Sequence, residues 1–109
     1  MTDAEISRAV ALAIGWPEHT VFVHESPEPG CQVWPVDGTW RDFDYRSPDV
    51  ALPLLRWLMV EHAHTATFTR HWDGGEKVFC VSEPATGVYP WSDTLELAIA
   101  RAVIAVGRG

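Results

Sequence analysis

Histidine and carboxylate side chains gather near residue 62, where Glu61, His62 and His64 lie together and His71 follows. Imidazoles and carboxylates are metal ligands by type. Zinc sites, however, place ligands at i and i+4 on one helix face or in Cys-x-x-Cys knuckles, and residues two apart on a helix point to different faces. The spacing argues against a metal centre, and a histidine near a helix C-terminus is already favoured by the helix dipole. Asp42-x-Asp44 has the chemistry for Mg²⁺ or for acid/base work, but Arg41 and Arg46 flank it and supply local neutralisation. No Gly-x-Ser-x-Gly elbow occurs, neither Cys31 nor Cys80 has a histidine beside it in the chain, and no glycine loop is built to cradle phosphate. The residues name no catalytic set, no metal and no cofactor, so a non-enzymatic protein is expected.

The aromatics offer a different chemistry. Six tryptophans stand among 109 residues, more than a core of this size needs. Trp57 is in helical register with Val50, Leu54 and Leu58, and Trp16 is placed to lock the end of the first helix. Trp34, Trp40, Trp72 and Trp91 fall at strand ends or in loops. There, tryptophan with tyrosine and arginine is both the composition of binding hot spots and that of small clusters packed under loops. The densest stretch is Trp40-Arg41-Asp42-Phe43-Asp44-Tyr45-Arg46. Its three aromatics cannot all point inward, because the charges between them would then be buried at a cost of about several kcal/mol each unless paired. At least one aromatic is expected at the surface. Trp40, Arg41, Asp42, Phe43, Asp44 and Tyr45 are therefore the candidate protein-binding residues, with Trp91. Leu97 and Ile104 join them, because they share the nominally outward face of the last helix with Arg101 and Arg108. A face that is half apolar implies a homodimer or a target contact.

The net charge of −7 excludes nonspecific attraction to nucleic acid or anionic lipid, both of which bind through phosphates. The charge is uneven: residues 18–49 hold seven carboxylates against two arginines, a net −5. This acidic sector either solvates a loop-rich region or steers a basic partner. The longest uncharged apolar run, Val50 to Leu55, is far shorter than a membrane span, and the chain opens without a basic leader and apolar stretch. A cytoplasmic protein without membrane contact is expected, and its two cysteines read as buried, reduced thiols. Seven arginines and one lysine are scattered rather than clustered as phosphate ligands.

These residues must be positioned by a single domain, 1–109, large enough to bury about two thirds of its unfolded surface. Thr2-x-x-Glu5 is a capping box that opens a helix over 3–14, with Gly15 at its C-cap. The stripe of that helix is Ile6, Ala9, Val10 and Ala13. Residues 20–24 alternate as a strand. Cys31 to Val36 reads as a second strand pairing back, with Pro35 suited to a sheet edge. Residues 37–46 match neither period and read as an exposed loop or irregular strand. Ser47-Pro48-Asp49 caps a second helix running to His62, in which Pro53 favours a kink or a later start near Leu52. Asp73-Gly74 supplies a two-residue hairpin turn between strands at 65–72 and 76–82. Val78 to Val81 are apolar without alternation, which asks for cover on both faces. Ser92-Asp93-Thr94 caps a last helix ending at Gly107. The order αββαββα describes an α+β domain. Three apolar-faced helices around a mainly antiparallel four-stranded sheet favour a three-layer α/β/α sandwich.

Ala13-Ile14-Gly15-Trp16 closing the first helix and Tyr45-Arg46-Ser47-Pro48-Asp49 opening the second resemble the phage ABA-sandwich family. Thr94-x-x-x-Ala98-Ile99-x-x-Ala102-Val103 resembles the way those proteins enter and run their last helix. The resemblance covers most of the chain and departs from the family's pattern at Pro53 and in the number of tryptophans. It implies a three-layer fold, a phage or prophage origin and no catalytic residues. The function it points to is a small accessory protein that binds a host protein or ribonucleoprotein complex inside the infected bacterium. The concrete form is an inhibitor of a defence complex, in the manner of anti-CRISPR proteins. A small-ligand or nucleotide-binding module and an oligomeric phage structural or scaffolding protein are the alternatives.

Overall fold

The computed structural model describes residues 1–25, 28–35, 38–62, 65–70, 77–83, 87–88, 92 and 94–108, with 65–70, 77–83, 87–88 and 108 by backbone alone. Helix α1, Asp3–Ala13, starts on the expected capping box. The Glu5 amide donates to Thr2 Oγ1 at 3.2 Å, and the Thr2 amide donates back to Glu5 Oε1 at 3.3 Å. It ends where Gly15 adopts φ of 107°, a left-handed conformation suited to glycine. The Trp16 amide then reaches the Ala11 carbonyl and the Gly15 amide the Leu12 carbonyl, the paired bonds of a Schellman ending. Val10 is buried as expected, but Ala4, Ser7 and Ala11 are its buried companions, while Ile6 and Ala13 are partly covered. Burial spreads around α1 because it packs on β1 and β2 and also on α3.

A short 3₁₀ turn, Glu18–Thr20, leads into β1, Val21–His24, which pairs antiparallel with β2, Gly30–Val33, in the register Val21↔Val33 to His24↔Gly30. Strand β2 stops at Val33, short of the expected Val36, and lies in the middle of a three-stranded sheet rather than at its edge. Pro35 falls beyond the last paired residue, so its missing N–H costs no ladder bond. The irregular stretch contributes β3, Arg41–Asp42, opposite Val33 and Gln32.

Helix α2, Pro48–Glu61, begins at Pro48 and not near Leu52, with the Ser47 carbonyl accepting from Val50 and Ala51. Pro53 sits inside it at an exposed position, one turn after the exposed Asp49, whose carbonyl it deprives of an i+4 donor. Strands β4, Thr65–Arg70, β5, Lys77–Glu83, and β6, Gly87–Val88, form a second antiparallel sheet in that order. The Asp73-Gly74 turn and the Trp72 and Trp91 side chains lie outside the described residues.

Helix α3, Leu95–Arg108, is capped by Thr94, whose hydroxyl accepts from the Leu97 amide at 3.1 Å. It passes through Gly107 instead of ending there, and the reason is packing. A Cβ at Gly107 would stand 2.5 Å from Ala13 Cβ and 2.8 Å from its Cα, so the missing side chain lets α1 and α3 meet backbone to backbone. Helix α3 is the hub of the domain, touching α1, α2 and β5. Its Ala98, Ile99, Ala102 and Val103 form the core with Val10 of α1 and Leu54 and Leu58 of α2. Full burial of side chains such as Leu58 and Ile99 contributes about 1.5–3 kcal/mol each.

The protein is thus α+β with three helices and antiparallel sheets. The strand count differs from expectation. Each hairpin gains a short third strand, giving αβββαβββα, and the described pairings form two three-stranded sheets in place of one four-stranded sheet. Two-residue strands such as β3 and β6 are too short to show a period in sequence. Among the described residues no helix is long and apolar enough to cross a membrane.

Candidate functional site

The first sheet turns two unlike faces outward and inward. Side chains alternate along a strand, so Val21, Cys31 and Val33 point to α1 and are buried. Phe22, Gln32 and Asp42 form a cross-strand row on the other face. Trp34, two residues beyond Gln32, and Trp40, two residues before Asp42, share that outer face. Their rings meet there. Trp34 and Trp40 are stacked at 5.4 Å between centroids and 19° between planes, while Phe22 meets Trp40 edge-on at 4.5 Å. The three remain exposed, at 44%, 45% and 43% for Phe22, Trp34 and Trp40. The rings form an exposed aromatic platform drawn from three separate segments.

The local sequence explains how the rings are held. Gly38 takes φ of 83° between the two tryptophans, its amide donates to the Pro35 carbonyl at 3.0 Å, and a Cβ there would lie 4.0 Å from Trp34 Nε1. The turn brings Trp40 back beside Trp34 while the indole of Trp34 stands over bare backbone. The Trp34 amide donates to the Thr20 carbonyl at 2.9 Å, which fixes the last residue of the hairpin. Asp42 is oriented at the platform's edge by Gln32, whose Nε2 donates to Asp42 Oδ1 at 3.1 Å. His24 lies over Gly30, where a Cβ would be 3.1 Å from the imidazole Cε1.

His24 and Asp42 also line a cleft of about 800 Å³ between the sheet's end and the start of α1, whose wall includes the inward-facing Cys31 and Phe43. Asp3, Glu28, Asp42, Asp44 and Arg46 are its charged lining. Arg46 is committed within it. Its Nε and Nη2 donate to Asp44 at 3.0 Å each, and its Nη1 donates to Asp3 Oδ2 at 3.1 Å. The guanidinium holds the Asp44 carboxyl below the usual carboxylate range, chiefly through these hydrogen bonds, and Asp44 in turn raises Arg46. Tyr45 donates from its hydroxyl to Asp3 Oδ1 at 2.7 Å, and its amide donates to the buried Ser7 Oγ at 3.0 Å. Burial, then that bond to Asp3, pushes the Tyr45 phenol up to about 12.

The structure divides the candidate residues. Trp40, Arg41 and Asp42 are exposed, and Asp44 is half-buried in its pair with Arg46. Phe43 and Tyr45 are core residues, 8% and 5% exposed, so the folded surface does not present them. The reason is period two: β3 places Trp40 and Asp42 outward, and the chain then delivers Phe43 and Tyr45 inward under α1. Leu97 and Ile104 are half-buried against the core cluster, whereas Arg101 is exposed with its Nη1 donating to Ser92 Oγ at 2.9 Å. Ile104 also lines a smaller cleft of about 420 Å³ between α1 and α3. Trp91 lies outside the described residues.

Phe22 is the platform residue that sequence reasoning missed, and Trp34, though noted there as a tryptophan at a strand end, was not among the candidate binding residues. The signal was there in the alternation of residues 20–24, which puts Phe22 opposite Val21 and Val23, but the pairing that joins it to Trp40 needs the register. His62 meets Trp57 edge-on at 4.4 Å, and His64 and His71 lie outside the described residues. Among the described residues no three of His, Cys, Asp and Glu are grouped closely enough to hold a metal ion. Cys31 is a buried free thiol whose pKa burial pushes up, with Arg8 opposing, so it is a poor nucleophile. No family model, curated protein or solved structure matches the chain.

Proposed function

We propose that this chain is a non-enzymatic binding protein whose docking surface is the outer face of the first sheet, and that its partner is a protein with a basic surface. The observation that carries the reading is the ring cluster of Phe22, Trp34 and Trp40, exposed together on one face of the sheet. Aromatic anchors beside carboxylates are the composition of interface hot spots, and the acidic sector supplies complementarity to a cationic partner. Trp40, Arg41 and Asp42 are the contact residues from the irregular stretch, and Phe43, Asp44 and Tyr45 support them from below.

The narrower reading is a phage or prophage accessory protein that inhibits a host defence complex. It draws its support from the resemblance of the helix-closing and helix-opening motifs and from the charge of −7. The three-layer α/β/α arrangement belongs to this narrower reading and requires the two three-stranded sheets to lie in one layer. Nucleotide binding is the weaker alternative. The cleft's carboxylates repel phosphate, and the guanidinium in it is already shared between Asp3 and Asp44.

The test is differential capture from a bacterial host lysate by the wild-type chain, by Trp40→Ala and by the control Met59→Ala, which alters an exposed residue of α2 remote in sequence from the platform. A partner retained by wild type and by Met59→Ala but lost by folded Trp40→Ala is the expected result. A partner held equally by all three removes the outer face as the docking surface.

A further inference from the structure

We infer that the side chain this face takes is a guanidinium, carried by an arginine-rich segment of the partner that crosses the platform and enters the acidic cleft; the inference rests on the docking reading above. Ring geometry comes first. Trp34 and Trp40 are nearly parallel, and Phe22 closes against Trp40 with its edge, so the rings fill one another's flanks. They leave no enclosed cage in which a compact ammonium could be surrounded. What they offer is exposed indole surface, since Trp34 and Trp40 each keep more than two fifths of their area in water, and a planar, weakly hydrated guanidinium packs on such surface better than an ammonium does.

The second observation is charge placed beside the rings. Asp42 stands in the row next to Phe22 and Gln32 on the same outer face. Gln32 occupies its Oδ1, which leaves Oδ2 to accept from a second donor. Past Asp42 the cleft continues with Glu28, Asp3 and Asp44, so its four carboxylates outnumber the Arg46 guanidinium and the Met1 ammonium. Stacking platform, oriented carboxylate and acidic cleft are therefore continuous across His24 and Asp42. A chain bearing several arginines satisfies all three, whereas a nucleic acid meets the same rings but brings phosphates to the carboxylates. A neutral glycan stacks on tryptophan too, yet draws nothing from the charge.

The probe is a fluorescein-labelled, amidated arginine oligopeptide, compared by anisotropy with a lysine oligopeptide of equal length, a single-stranded oligodeoxynucleotide and a neutral oligosaccharide. The arginine peptide should bind about two- to fivefold tighter than the lysine peptide, the range for one exposed cation–π contact. That preference should vanish in Trp40→Ala and survive in Trp40→Phe, which keeps a ring. Asp42→Asn should weaken both peptides by a similar factor and flatten their salt dependence. Equal arginine and lysine affinities, or an arginine preference untouched by Trp40→Ala, overturn the inference. Failure of both peptides alongside Trp40-dependent binding of the oligosaccharide or the oligodeoxynucleotide also overturns it, while leaving the outer face as a docking surface. If no probe and no captured protein depends on Trp40, the docking reading falls as well.

Discussion

The two faces of the first sheet carry the same kinds of side chain to opposite ends. Inward, Val21, Cys31 and Val33 continue into Phe43 and Tyr45 and close on α1. Outward, Phe22, Trp34 and Trp40 touch one another and remain in water. The difference does not lie in residue type, since both faces are apolar and aromatic. It lies in register, which assigns each alternate residue to a face, and in cover, which among the described residues α1 gives to the inner face alone. A sheet face that is aromatic, uncovered and rimmed by an oriented carboxylate is better explained by a partner than by folding.

Breaking the inner face should give the largest effect. Phe43→Ala removes a buried aromatic, and denaturant unfolding should show a loss of about 3–5 kcal/mol, with the remaining folded protein binding its partner normally. A loss of binding by fully folded Phe43→Ala blurs the distinction between the faces. Next is the seam that holds α1 against the helical hub. Gly107→Ala forces a methyl to within 2.5 Å of Ala13 Cβ, and overpacking of this kind costs about 1–3 kcal/mol, read as a lowered melting temperature. A neutral result shows that the two helices can separate freely.

Tyr45→Phe sharpens the comparison at lower amplitude. It keeps the ring in the core and deletes the hydroxyl bonded to Asp3, so a loss of about 1 kcal/mol is expected at neutral pH. The pH dependence has a definite sign. The folded phenol is pushed up to about 12 from its ordinary 10.0, so the folded state holds its proton longer than the unfolded chain. The stabilisation is complete below pH 10 and is lost as the pH rises toward 12. Wild type should therefore lose stability relative to Tyr45→Phe across that window, and parallel curves contradict the assignment. Asp44 behaves oppositely: its carboxyl is lowered by Arg46, so its small surface contribution is present above the usual carboxylate pKa and fades in acid. Asp44→Asn should flatten the acid limb of the stability curve, measured by thermal melts between mild acid and neutrality.

Much of the local structure was legible because single residues dictate it. Thr2 and Glu5 cap α1, Gly15 ends it with a positive φ, Pro48 opens α2 and Thr94 caps α3, each through a bond or dihedral that depends only on neighbours. The α+β class follows from those elements. Sheet membership was not legible, because β3 is two residues long and its place beside β2 is a long-range pairing. The same limit governed the site. The cost of burying the charges between them required one aromatic of Trp40, Phe43 and Tyr45 to face water, and Trp40 does, but which neighbours it gathers depends on the turn at Gly38 and on the β1–β2 register. Gly107 shows the reverse failure. A glycine near a helix end reads as a stop signal, and here it is an interior contact made for Ala13.

The central claim, that the outer aromatics serve a partner and the inner ones serve the fold, is tested most directly by measuring stability and partner binding together on Trp40→Ala. Truncation should cost the fold only the ring contacts with Phe22 and Trp34, about 0.5–1.5 kcal/mol each. Binding by the fully folded fraction should fall by 2 kcal/mol or more, roughly thirtyfold. The account is contradicted if Trp40→Ala unfolds the protein as severely as Phe43→Ala does while its folded fraction binds the partner at full strength.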